Sequence, residues 1–338
     1  MKSHSSHHPR PYFLMALVAA IVLLLSFHAF PAAKKDNLPR LTGAKLLLGW
    51  PPFGLTLTTV DQTSTLQQDE QSDWYVTPSI SADGRIIASA HPLPGEPPRS
   101  RSLMVSTWSA ADQRWTEYNN LEIVGGSVAI SPDGSKLACV TRWRTDAPSR
   151  LEVLDRNNGR IIIGPEIPES AGTDITWSPH SRRLAFDMGD NRSPVKEGPT
   201  SFRAIYVMNV ETGAFASIGE GVAPSWSPSG QWIAFLDYFP DQDDPRLGAA
   251  AARPNRVSLM RPDGAGARVL FTFHSDEALM VPPVWSPDSG TLLINRFRDK
   301  DKATMDIDAL DLATLRLTRR FKTPRRCTPG SRPNEIPA

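Results

Sequence analysis

A short serine-centred motif recurs five times along the chain and constrains its fold more than any other feature. In each copy an apolar residue precedes the serine, a turn follows it, and an apolar residue lies six positions beyond it. The serines stand at positions 81, 131, 178, 227 and 286, so the copies are about fifty residues apart. Such a regular internal period is typical of repeat architectures, in which each copy builds one supersecondary unit.

Each copy contains four strand-like runs separated by turn residues, which we name strands A to D. Pro132, Asp133 and Gly134 suit the turn between strands A and B, because proline presets φ and glycine accepts a positive φ. Alternating polar and apolar residues, as in 305–309, favour strands. Four strands in a unit of about fifty residues are typical of a propeller blade.

A degraded first copy precedes the five clear ones. Residues 39–42 resemble the motif at 224–227, and strand-like runs follow at 45–50, 54–60 and 63–67. The sequence therefore predicts an all-β fold, a β-propeller with six four-stranded blades, preceded by one N-terminal hydrophobic helix. Completion of the first blade by a C-terminal strand is an alternative that the residues leave open.

The Trp-Ser-Pro turns and the strands beside them resemble the TolB-like, WD40-like propeller repeat. Residues 203–209 (Arg-Ala-Ile-Tyr-Val-Met-Asn) and 231–235 (Gln-Trp-Ile-Ala-Phe) carry this resemblance best. It weakens in the first copy and at His180 and Ser181, where Asp-Gly is usual in the family. The resemblance implies the propeller part alone, without the separate N-terminal domain of TolB. A TolB role in envelope integrity is therefore not expected.

An apolar run over residues 12–25, continuing to Pro31, dominates the N-terminus. Its length suits a signal-peptide core or a short membrane span. Phe30 and Pro31 stand where a cleavage site needs small residues, which favours an uncleaved signal anchor with the propeller outside the cytoplasm. Cleavage to a secreted or periplasmic form is the alternative. The predicted organisation is a cytoplasmic stub and anchor helix over 1–33, a linker over 34–37, the propeller over 38–322 and a disordered Pro/Arg-rich tail over 323–338.

Charge and cysteine content argue against several classes of protein. Lys and Arg number 37 against 36 Asp and Glu, a net charge of +1, so no strongly basic surface for nucleic acid is expected. Two cysteines without a CxxC pair indicate neither a disulfide framework nor a zinc site. We predict no cofactor and no metal site, and we leave calcium binding by the acidic loops and the oligomeric state open.

The connections between strands B and C are long, whereas the turns between strands A and B are tight. Long loops on one face of a rigid scaffold are where binding usually occurs. Arginine pairs with carboxylates and aromatic rings stack on sugars, which suits a protein or glycan partner. Salt bridges among these side chains are the competing interpretation. The predicted binding residues are Arg142, Arg144, Asp187, Asp237, Tyr238, Arg296 and Arg298.

No catalytic residue is predicted. Propeller-bearing serine peptidases need a hydrolase domain with a G-x-S-x-G elbow, which we do not expect here. Propeller-type pectin lyases use clustered histidines, whereas His91, His180 and His274 are spread along this propeller. The main hypothesis is therefore a non-catalytic, membrane-anchored binding scaffold. An extracytoplasmic hydrolase or lyase with a carboxylate site in the central funnel is the alternative.

Overall fold

The computed structural model describes residues 45–50, 54–59, 63–67, 76–92, 102–109, 111–112, 114–141, 149–167, 173–189, 203–237, 254–274, 277–279, 281–298 and 305–322. The predicted anchor helix, linker and tail lie outside these residues. Nowhere in the described ranges does a helix have the length and apolar character needed to cross a bilayer. The described elements are antiparallel β-strands, as the repeats predict.

The described strands form five sheets. The first contains β1 (Lys45–Trp50), β2 (Gly54–Thr59) and β3 (Thr63–Gln67). The second contains β4 (Val76–Ile80), β5 (Ile86–Pro92), β6 (Ser102–Ser109), β7 (Arg114–Ile130), β8 (Lys136–Thr141), β9 (Ser149–Asp155) and β10 (Ile161–Ile167). The third contains β11 (Ile175–Trp177), β12 (Arg183–Gly189), β13 (Arg203–Asn209) and β14 (Phe215–Glu220).

The last two sheets complete the propeller. The fourth contains β15 (Val222–Trp226), β16 (Ile233–Asp237), β17 (Arg256–Met260) and β18 (Arg268–Thr272). The fifth contains β19 (Glu277–Leu279), β20 (Val284–Trp285), β21 (Thr291–Arg298), β22 (Met305–Asp311) and β23 (Leu317–Lys322). Both β19 and β20 pair with β21, so together they take the place of strand A.

The prediction of six blades is wrong, because the described strands make five sheets and hence five blades. The difference arises at β7, which is 17 residues long and serves two sequence repeats. Its first part pairs with β6 as strand D of one repeat, and its last part pairs with β8 as strand A of the next. Leu121 and Ile123, each 1% exposed, keep this stretch in the core. Two repeats therefore merge into one seven-stranded sheet.

The recurring serine closes the turn between strands A and B. The Ser81 hydroxyl accepts a hydrogen bond from the Ile86 amide at 3.0 Å and donates one to Asp83 Oδ1 at 2.6 Å. Equivalent amide-to-serine bonds of 2.8–3.0 Å occur at Ser131, Ser178, Ser227 and Ser286. Because the serine satisfies a partly buried amide in these five described repeats, an apolar residue in its place would leave that amide without this hydrogen bond.

The tryptophans before three of these serines are buried, as their register predicts. Trp177, Trp226 and Trp285 are 6%, 6% and 5% exposed. The Trp177 indole donates to the Ala129 carbonyl oxygen at 3.0 Å, and the Trp285 indole to that of Ser225 at 2.9 Å. These two bonds join strand A of one blade to strand A of the preceding blade. The tryptophans therefore fill the space between sheets and fix their spacing.

Candidate functional site

The strand order divides the described part of the propeller into two faces. We call the face with the B–C connections the long-loop face, and the face with the A–B and C–D turns the turn face. Asp187, Asp237 and Arg296 lie towards the ends of strands β12, β16 and β21, next to the long-loop face. Arg298 ends β21, whereas Arg142, Arg144 and Tyr238 lie outside the described residues.

Asp187 and Arg203 form a buried ion pair at the base of one long loop. Arg203 Nε donates to Asp187 Oδ2 at 2.8 Å, and Arg203 Nη2 donates to the Asp187 carbonyl oxygen at 3.1 Å. The Asp174 amide donates to Asp187 Oδ1 at 2.7 Å. Burial raises the pKa of the Asp187 carboxyl, while the Arg203 guanidinium and the amides of Asp174 and Ala223 oppose that rise. The pair closes the loop ends of β12 and β13.

A second ion pair occupies the same position in the next blade. Asp237, the last residue of β16, is paired in the sheet with Arg256, the first residue of β17. Arg256 Nη2 lies 2.8 Å from Asp237 Oδ2, and the two side chains are 20% and 25% exposed. This pair is more accessible to water than the Asp187–Arg203 pair, whose side chains are 3% and 9% exposed. It nevertheless holds the two ends of its loop together.

Arg296 lies at the centre of a larger network in the last blade. Its guanidinium contacts Glu277 of β19, lies 2.7 Å from Asp308 Oδ2 and 3.6 Å from Asp306 Oδ2, and stacks 5.6 Å from the Phe273 ring centre. One cation thus faces three carboxylates on neighbouring strands. In the described part of the chain, no group of three or more His, Cys, Asp or Glu side chains has an arrangement that could hold a metal ion.

The competing interpretation was that the predicted residues form salt bridges among themselves. Asp187, Asp237 and Arg296 do form salt bridges, but with residues outside the predicted set. Arg203, Arg256, Glu277, Asp306 and Asp308 supply the opposite charges, and none of them was among the predicted site residues. The spacing of 16 residues between Asp187 and Arg203, across a long loop, hides the pair from local sequence patterns. Direct contact of Asp187, Asp237 and Arg296 with a ligand stays a prediction.

The turn aspartates lie at the opposite ends of the strands and shape the turns. Asp133 accepts hydrogen bonds from the Ser131 hydroxyl at 2.6 Å, the Ser135 amide at 3.0 Å and the Ser135 hydroxyl at 2.8 Å. Partial burial opposes ionisation of Asp133, but these hydrogen bonds and the positive charge of Lys136 outweigh it and lower its pKa. Asp83 has a lowered pKa for the same reason, through Ser81 and the Arg85 amide.

Two adjoining depressions lie on the turn face, where no binding residue was predicted. One, of about 420 Å³, lies between the turns of the third and fourth repeats and is lined by Lys136 and Arg160. The other, of about 330 Å³, lies between the A–B turns of the fourth and fifth repeats and is lined by Arg183. His180 and Arg182 line both of them. The departure from Asp-Gly at His180 is the sequence signal that could have pointed to this place, but no site was predicted from it.

Successive antiparallel sheets built from repeats of about fifty residues, with serine-centred turns between strands A and B, define this chain as a β-propeller. No protein-family model matches the sequence, and no curated protein matches it. Solved structures do. The putative TolB of Agrobacterium tumefaciens has 16% identity and a TM-score of 0.51, over 77% of this chain and 84% of the other.

Two further solved structures have similar scores. TolB of Acinetobacter baumannii has 14% identity and a TM-score of 0.55, over 90% of this chain and 63% of that one. An oligogalacturonate lyase in complex with manganese has 14% identity and a TM-score of 0.51, over 83% of this chain and 73% of that one. The propeller is therefore TolB-like in fold. At these identities the likeness extends to the fold and transfers no activity.

Proposed function

We propose that the chain is a non-catalytic scaffold that binds a protein or glycan partner through its long-loop face. The observation that carries the proposal is the recurrence of an ion pair at the root of a long loop. Asp187–Arg203, Asp237–Arg256 and Arg296–Asp306 each join the end of strand B to the start of strand C. The residues that enter and leave three consecutive loops are thereby held together on one face.

Such clamping suits binding, because a loop whose ends are fixed loses less conformational entropy when a partner orders it. The tight A–B turns on the other face use their polar groups to hydrogen-bond themselves, as Asp133 does with Ser131 and Ser135. Arg142, Arg144, Tyr238 and Arg298 remain the predicted contacts from the loops and their borders. Rigid sheets that present variable loops are a common binding arrangement.

Site-specific photo-crosslinking in the intact chain tests this proposal. A photoreactive amino acid would replace Lys196 or Arg246 in two long loops, and Asp263 or Ala313 in two exposed C–D turns as matched controls. We expect both loop positions to yield an adduct with the same partner, and both turn positions to yield none. Adducts from the turn positions alone, or different adducts from the two loops, would contradict a shared long-loop site.

We further propose that the N-terminal helix is an uncleaved anchor that holds the propeller outside the cytoplasm. The apolar run over residues 12–25 and the poor cleavage site support this proposal. In bacteria producing the full chain, we expect the protein in the membrane fraction, and protease added to spheroplasts should digest the propeller. A soluble periplasmic form that begins near Lys34 would replace the anchor by a cleaved signal peptide.

A second candidate function has one observation in its favour. It is the cleavage of a glycan by a hydrolase or lyase reaction that uses carboxylates. Glu277, Asp306 and Asp308 converge on Arg296 towards the long-loop end of the last blade. Glu277→Gln and Asp308→Asn would separate the two functions, because loss of an activity without loss of partner capture would support the enzyme. Equal capture of the partner by the unaltered chain and the variants, with no enzymatic activity in any of them, would support the scaffold.

A further inference from the structure

The A–B turn of the fourth repeat differs in charge from its equivalents. Two positions after the serine, the second, third and sixth repeats have Asp83, Asp133 and Asp288, whereas the fourth has His180. In the second repeat the Asp83 carboxylate also lies 3.8 Å from Arg85 Nε. Arg182 occupies the place of Arg85 in the fourth repeat, but the residue two positions before it is His180. The turn therefore keeps its arginine and loses the carboxylate that would face it.

Further cations lie beside Arg182 in the two adjoining depressions of the turn face, which we call the turn-face groove. Lys136 and Arg160 line one part of the groove and Arg183 lines the other. Among the described residues, no carboxylate forms an ion pair with Lys136, Arg160 or Arg182. Lys136 interacts electrostatically with Asp133, so the three arginines of the groove are the cations most available to one elongated ligand.

The acids of the groove are mostly engaged by the turns themselves. Asp133 accepts three hydrogen bonds from Ser131 and Ser135. Asp155 accepts one from the Asn157 amide at 2.9 Å and one from Asn158 Nδ2 at 3.3 Å. These donors hold both carboxylates in their turns, and exposed Glu211 is the third carboxylate of the groove. Four cations, Lys136, Arg160, Arg182 and Arg183, face these three carboxylates, so the groove has an excess of one positive charge, which favours an anion.

The side chains also distinguish between classes of anion. Trp226, the aromatic residue among the described lining residues, is 6% exposed and is covered by Arg183, whose Cζ lies 5.2 Å from the ring centre. A sugar would find no open aromatic face there on which to stack. Arginine guanidinium groups, in contrast, match the two oxygens of a carboxylate. We propose that the turn-face groove binds an acidic peptide segment, rich in Asp and Glu, of a partner protein.

The substitution His180→Asp tests the proposal most directly. It restores the carboxylate found at this position in three other repeats, where the fold accepts it, and places it beside Arg182. A fluorescein-labelled hexaglutamate peptide would be titrated into the full chain in detergent micelles and followed by fluorescence anisotropy. We expect binding about tenfold weaker than in the unaltered chain, with an equal or higher melting temperature.

A matched pair of arginines supplies the control. Arg160 and Arg316 both follow a C–D turn directly and are both exposed, but Arg160 lines the groove and Arg316 lies in the last blade. Arg160→Glu should weaken hexaglutamate binding about tenfold, and Arg316→Glu should leave it within about twofold. Glu211→Gln should strengthen it, because it removes the opposing carboxylate. Raising the salt concentration should weaken it in every form.

Several results would overturn the proposal. Equal losses in Arg160→Glu and Arg316→Glu would show attraction to the whole surface instead of the groove, and unchanged binding in His180→Asp would exclude the fourth turn. Tighter binding of a heparin-derived hexasaccharide than of hexaglutamate would make the ligand a glycan. The groove is independent of the long-loop face, so a chain with residues 190–202 replaced by a short Gly-Ser linker should bind hexaglutamate normally.

Discussion

Removal of the Arg203 guanidinium should expose the energetic role of the buried ion pair. Arg203→Met keeps an apolar stem of similar length but leaves the Asp187 carboxylate, 2% exposed, without its cation. It also removes the bond from Arg203 Nη2 to the Asp187 carbonyl oxygen. Loss of one partner of a buried pair costs about 3–5 kcal/mol. We therefore expect the free energy of unfolding to fall by about that amount at neutral pH.

The loss should shrink in acid, and its sign follows from linkage. Burial raises the folded-state pKa of Asp187 above that of the unfolded chain. A group with a raised pKa binds more protons in the folded state, so its contribution to stability increases as the pH falls and is lost as the pH rises through that pKa. Without the Arg203 guanidinium to oppose the effect of burial, the pKa of Asp187 in the folded state rises further. Arg203→Met should therefore be less destabilised at about pH 5 than at about pH 7.

Urea unfolding of the full chain, followed by tryptophan fluorescence at both pH values, measures these differences. Arg256→Met is the matched control, because its pair with Asp237 is 20–25% exposed and water can replace the lost cation. An accessible pair contributes about 1 kcal/mol or less, so the control should lose far less stability. Equal losses in the two variants, or a loss in Arg203→Met that does not change with pH, would refute the reasoning.

The remaining predictions concern packing and turns, and all use the same unfolding assay. Trp177→Ala should cost about 3–5 kcal/mol, since it leaves a cavity between sheets and removes the bond to Ala129; a loss below about 1 kcal/mol would mean that the indole does not space the blades. Leu315→Gly should raise the free energy of unfolding by about 1 kcal/mol, because Leu315 has φ 54° and is 47% exposed. Gly159 and Gly213 occupy the equivalent position in other repeats. A lower free energy of unfolding would show that the apolar contacts of Leu315 outweigh its backbone strain. Asp133→Ala should cost about 0.5–1 kcal/mol at neutral pH. That cost should vanish as the pH falls through the lowered pKa of Asp133, because only the ionised carboxylate contributes this stability. An unchanged cost in acid would exclude ionisation of Asp133 as its source.

The repeat register was predictable because it rests on interactions within a few residues of each other. Ser131 bonds the amide five positions on, and Gly134 takes a positive φ of 72° in the turn between them. Trp177 precedes its serine directly, so its burial follows from the alternation of strand A. These local requirements appear in the sequence as a motif, and the motif led to the propeller fold.

The blade count and the ion-pair partners depend on distant residues and were not predictable in this way. Gly125 and Gly126 favour a break between two repeats, yet β7 continues through them because Leu121 and Ile123 are packed in the core. The contact between Arg296 and Glu277 requires β19 to pair with β21, and no local pattern specifies that pairing. The turn-face groove likewise combines turns from separate repeats, so composition alone does not reveal it.

The seven-stranded sheet has a mechanical consequence. In a ring of separate blades, thermal opening can start at any boundary, where side chains alone must part. At the boundary spanned by β7, opening would also require this continuous strand to lose its extended conformation and the backbone hydrogen bonds that join it to β6 and β8. The second and third repeats should therefore protect their amides from solvent exchange as one cooperative unit, and transient gaps in the ring should concentrate at the other boundaries.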